Sequence, residues 1–183
     1  MMAVNPILIL LTAFLAVFLQ SSTGFVQRFL GTQIDLLPAL MVYASLTAGP
    51  FTIAALALCG GLWFDSLSEN PTGLSVLPLL VIGYVISRRR DLILRSQTFA
   101  QAVLGVAASA LVPLASLLML LSAGRSPIFG WGTLWQWLVM AGVGGLATPG
   151  FFKFFGLLAQ IFAYQDQVAP GFRPDREIRR GRT

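Results

Sequence analysis

An all-α bundle of six membrane-crossing helices is the fold this chain predicts, and three observations predict it. Of its 183 residues, 56% are hydrophobic and only 10% are charged, the composition of a polytopic membrane protein and not of a soluble domain. The apolar residues fall into long runs divided by polar breaks rich in Gly, Pro, Ser and Asn. A run placed in lipid must satisfy its own backbone groups, so each such run is read as a helix. The basic residues lie mostly at the ends of those runs, where they set orientation across a bilayer.

The same inventory excludes much chemistry. There is no histidine, and Cys59 is the only cysteine. A His/Cys metal site, a Ser-His-Asp triad and an internal disulfide are therefore ruled out, and no cofactor is expected. The net charge of +5 does not point to nucleic acid, because the basic residues are few and serve membrane orientation.

The first span covers about residues 5–22, with Pro6 at its start, where a missing N–H is harmless. This run has no basic leader and no A-x-A cleavage site, so it reads as a retained span and not a signal peptide. A polar passage from Gln20 to Gln33 lies outside the hydrocarbon. Asp35 stands directly before Leu36-Leu37-Pro38 and reads as the N-cap of a short second span, residues 35–48. The third span, residues 50–66, follows Ala48-Gly49 with almost no connection, so the two form a tight antiparallel pair. Ala44, Ala48, Ala54, Ala55, Ala57, Gly60 and Gly61 allow their backbones to approach, and Cys59 falls in the core.

The fourth span, residues 73–87, opens at Gly73 and ends before Arg88-Arg89-Arg90. The fifth, residues 97–123, is longer than a perpendicular crossing needs, which predicts tilt or a bend at Pro113. Trp131, Trp135 and Trp137 open the sixth, residues 132–163, as an interfacial belt. Pro149-Gly150 lies inside that run. One kinked helix is favoured over a span ending near Lys153 followed by an interfacial helix, and Lys153 then snorkels to the headgroups. Residues 1–165 form a single transmembrane bundle and residues 166–183 a basic cytoplasmic tail. With six spans and a cytoplasmic N-terminus, Arg88, Arg89, Arg90, Arg95 and the arginines of residues 173–182 lie inside, against Arg28 and Arg125 outside. That obeys the positive-inside rule.

The stretch from Gly60 to Leu74 is the polar hinge between the third and fourth spans. Asp65 sits where two apolar runs meet, and a carboxylate at a helix C-terminus opposes the macrodipole by ~0.3–1 kcal/mol. Something must offset it. Asp65 is expected to organise the hairpin or to receive a partner, with Asn70 and Thr72 as nearby donors and Pro71, Gly73 and Leu74 forming the turn. The Arg88, Arg89 and Arg90 cluster is expected to set topology, with anionic lipid or a cytoplasmic partner as a second use.

The succession Asp35-Leu36-Leu37, Gly61-Leu62-Trp63-Phe64-Asp65-Ser66-Leu67, Pro71-Thr72-Gly73-Leu74 and then an arginine cluster resembles the rod shape-determining protein MreD family. The motifs cover about residues 19–95, and the remainder agrees in span count and length. Ile34-Asp35-Leu36 departs from the usual Pro-Asp-Leu, and the tail is longer and more basic than the pattern. The resemblance implies a bacterial inner-membrane protein with a fold similar to the substrate-binding subunits of energy-coupling-factor transporters. It implies a non-enzymatic elongasome scaffold that supports lateral peptidoglycan synthesis and cell shape. Its partner would be the single-span protein MreC, and through it a class B penicillin-binding protein, a SEDS glycosyltransferase and MreB.

Two alternatives remain beside the scaffold. Asp35 and Asp65 share one side of the membrane and could activate water as a proton-sharing pair, although no flanking residues resemble an intramembrane aspartyl protease. A small-molecule-binding subunit of a vitamin-type transporter would need a polar and aromatic cavity. Trp63, Asp65, Asn70, Gln136 and Trp137 are the candidates to line it.

Overall fold

A computed structural model describes residues 6–22, 31–32, 34–68, 71–90, 97–124 and 130–167, the last six as backbone. Over these residues the chain forms six helices and no strand: α1 (Pro6–Ser22), α2 (Leu37–Thr47), α3 (Pro50–Leu67), α4 (Val76–Arg88), α5 (Thr98–Ser122) and α6 (Trp131–Gln167). Three of them, α3, α5 and α6 through Ile161, are long and apolar enough to cross a membrane. The chain is thus an all-α protein with the helices of a multi-pass membrane protein.

The bundle is built around its shortest helix. α2 has 11 residues and at ~1.5 Å per residue is about 16 Å long, half of a ~30 Å hydrocarbon core. Every residue from Leu37 to Leu46 is buried, and α2 touches all five other helices. A helix covered on every side needs no polar stripe, which is why its sequence is apolar all round. Tyr43 is its main anchor: its ring stacks on Phe155 of α6 with centroids 4.4 Å apart and meets Phe152 edge-on at 4.9 Å. Ser45, Thr47, Thr12 and Thr148 return their hydroxyls to the carbonyl four residues earlier, so these four hydroxyls sit in apolar helices with their donors satisfied.

The starts of α2, α4 and α6 and the ends of α3 and α5 meet at one end of the bundle, since Asp35, Phe64, Leu74, Leu120 and Thr133 border a single cavity there. Arg88 lies at the other end of α4. We call these the hairpin end and the arginine end. α5 and α6 form the closest helix pair, with Gly105 against Thr148 and Gly144, and Gly144 against Ser109. Small residues let the two backbones approach until only hydrogen fits between them.

Several boundaries differ from expectation. α4 begins at Val76 and not at Gly73, because residues 72–75 are spent on the turn. As expected, α5 runs through Pro113 and α6 through Pro149 as single helices. α6 is a single helix of 37 residues, about 55 Å long, so the division at Lys153 into two helices does not occur. Cys59 is half-buried and not in the core. Expectations for Arg28, Arg95, Arg125 and residues 168–183 fall outside the described residues.

Candidate functional site at the hairpin end

Asp65 lies in the last turn of α3 and is 1% exposed. Its carboxylate reaches across the hairpin: Oδ2 accepts the backbone N–H of Gly73 at 2.8 Å and of Ser75 at 3.1 Å, and Oδ1 accepts the Ser75 hydroxyl at 2.6 Å. Ser75 immediately precedes Val76, the first residue of α4. The negative charge that is misplaced at the C-terminus of α3 therefore sits at the N-terminus of α4, where the macrodipole favours it. Two backbone donors, one buried and one partly buried, and a buried hydroxyl are satisfied by one side chain.

Two glycines make that reach possible. Gly73 has φ +92°, a left-handed conformation that residues with a Cβ adopt at a cost; it turns its N–H back toward Asp65. A Cβ at Gly73 would meet nothing within 4 Å, so its constraint is conformational and not steric. Gly61, one turn before Asp65 on the same face, is constrained sterically. A Cβ there would stand 2.9 Å from Val76 Cγ2 and 3.1 Å from the Val76 backbone. Gly61 brings the start of α4 close to α3, and Asp65 ties it.

The expected donors were different. Thr72 is exposed and is not among the donors to Asp65, while Asn70 lies outside the described residues. Ser75, which supplies two of the three bonds, was missed. Its signal was available: a serine directly before the apolar run Val76-Leu77-Pro78 occupies an N-cap position. Pro71 is exposed, its carbonyl accepting the Leu74 N–H at 3.2 Å, and Leu74 is half-buried with its side chain on the adjoining cavity.

Asp35 is 3% exposed, and its Oδ1 accepts the Leu37 N–H at 2.9 Å. The bond closes the first turn of α2 in the manner of an N-cap, with Leu36 already in the right-handed helical region. Among the described residues no lysine or arginine pairs with either aspartate.

Asp35 also lines a cavity of about 240 Å³ at this end. Leu74, Ser75 and Phe64 form one wall with it; Val112, Pro113, Ser116, Leu117 and Leu120 of α5 form the second, and Thr133, Gln136, Trp137 and Met140 of α6 the third. Gln136 and Trp137 thus line a cavity as expected of a binding subunit, but Trp63 does not: its ring meets Phe14 of α1 edge-on at 5.1 Å. Asp65 sits behind Ser75, with its oxygens directed at the hairpin.

The arginine cluster is at the far end. Arg88, Arg89 and Arg90 are exposed. The Arg88 Nε donates to the Tyr84 hydroxyl at 2.9 Å, and its guanidinium lies 5.3 Å from the Tyr84 ring centroid, an arrangement that holds the charge at the helix terminus.

Comparison with family models, with curated proteins and with solved structures finds no match to this chain.

Proposed function

We propose that this chain is a non-enzymatic scaffold of the MreD type in the bacterial inner membrane, with both termini cytoplasmic and the hairpin end facing the outer surface. It would hold an MreC-like single-span protein and so tie lateral peptidoglycan synthesis to cell shape. The observation that supports this reading is the Asp65 clamp. Gly61, Asp65 and Gly73, the residues that carry the sequence resemblance, form one mechanical unit that fixes the outer hairpin. A fixed hairpin is a docking surface that need not order itself on binding, which favours affinity. The six-crossing topology rests on the charge rule; in it α2 completes its crossing with the non-helical residues 34–36 that precede it.

Affinity purification from detergent, followed by identification of co-purifying proteins, tests the proposal. An MreC-like protein should be recovered, and Asp65→Ala or a bulky residue at Gly73 should reduce its recovery and round the cells. Retention of complex and rod shape by both variants at normal protein levels would rule the hairpin out as the docking surface.

The cavity beneath Ser75 favours a second reading, a small-molecule-binding subunit of the vitamin-transporter kind. Native mass spectrometry of the purified chain separates the two: a retained vitamin-sized ligand supports the carrier, and a protein partner with no ligand supports the scaffold.

A further inference from the structure

We propose that the cavity bordered by Asp35, Ser75, α5 and α6 is a binding site for a small organic cation, whose ammonium group is held by the Asp35 carboxylate beside Trp137. The site stands whether or not the chain docks an MreC-like protein.

Charge selects the sign of the guest. Asp35 is 97% buried, from an exposure of 3%, and only its Oδ1 is engaged by a described donor, the Leu37 N–H. Its carboxylate borders the cavity. The Asp65 carboxylate lies behind Ser75, and among the described residues no cation lines the walls. A buried carboxylate that accepts one hydrogen bond and meets no counter-ion among the described residues is costly. A cation in the cavity offsets that cost, and an anion would be repelled.

Shape and wall chemistry select an ammonium group over a metal ion. At about 240 Å³ the space is larger than a bare ion needs and lies just under the ~300 Å³ lower bound of drug-sized sites. A choline- or ethanolamine-sized molecule suits it. Trp137 and Phe64 supply aromatic surface, which attracts ammonium groups, and Ser116, Thr133 and Gln136 supply acceptors for its N–H or neighbouring hydroxyl. The described residues hold no group of three His, Cys, Asp or Glu that could bind a metal.

The test uses the full chain purified in detergent without any partner, titrated with choline chloride and with ethanolamine while thermal unfolding and tryptophan fluorescence are followed. Saturable stabilisation by either cation is expected. Asp35→Asn keeps an oxygen for the Leu37 N–H but removes the charge, and should weaken binding by roughly tenfold or more; Trp137→Leu should weaken it without touching α2. The proposal is overturned by no saturation up to about 10 mM, where even weak ligands register. It is equally overturned by the same stabilisation with sodium chloride or with 3,3-dimethylbutan-1-ol, the neutral isostere of choline, or by unchanged affinity in both variants. Because no partner is present, failure here leaves the scaffold reading intact, and loss of partner recovery in cells leaves this site intact.

Discussion

Asp65 and Ser75 join α3 to α4 through a 2.6 Å bond from the serine hydroxyl to Oδ1 and a 3.1 Å bond from the serine N–H to Oδ2. Ten positions apart in sequence, they make the end of one helix the cap of the next. The hairpin is held by a charge-assisted link and not only by apolar packing.

Removing that link should be expensive. Asp65→Ala leaves the buried Ser75 donors and the partly buried Gly73 N–H without their acceptor and should cost about 3 kcal/mol or more. Ser75→Ala keeps the backbone bond and should cost about 1.5 kcal/mol. In a double-mutant cycle, read by thermal unfolding in detergent, the pair should show a coupling of about 1 kcal/mol or more. Additive losses would show that the hydroxyl bond contributes nothing.

Gly73 and Gly61 should fail in different ways. Gly73→Ala meets no atom but must hold φ +92°, a cost of roughly 1–2 kcal/mol that should barely grow on going to leucine. Gly61→Ala meets Val76, and Gly61→Val should be far worse because its bulk pushes the start of α4 beyond the reach of Asp65. Protease cleavage within residues 68–75 should be quickest in the Gly61→Val variant.

The α5–α6 contact offers a rescue experiment. Gly144→Ala drives a methyl into the Ser109 side chain and should destabilise by about 1–3 kcal/mol. Ser109→Gly removes the obstructing atoms and should restore most of that loss in the double variant. Thermal unfolding of the four proteins checks it.

Orientation is tested with single cysteines on a Cys59→Ser background. At the hairpin end Thr72→Cys should react with an impermeant maleimide added to whole spheroplasts, whereas Arg89→Cys should react only in inverted vesicles. The reverse pattern would invert the proposed topology and place the ammonium site on the cytoplasmic face.

The sequence carried the helices better than the cavity. Pro50 marks a helix start because proline fits a first turn, and α3 begins at that residue. The role of Asp65 was legible as an electrostatic problem, a carboxylate at the wrong helix end, but its solution required knowing that Gly61 lets α4 approach. The central place of α2 was not legible. Lipid and protein interior are both apolar, so an all-round hydrophobic run does not say which one surrounds it. Nor was the cavity, whose walls bring Asp35 to Thr133 and Trp137 across about a hundred intervening positions that no local pattern connects.

The brevity of α2 bears on how the protein enters a bilayer. About 16 Å of helix is too little to partition into lipid as an independent segment, yet this piece ends up enclosed by all the others. It must be carried in with its neighbours, so assembly is cooperative from the outset. A lesion in α1 or α3 should then be felt first as failed insertion of residues they merely escort.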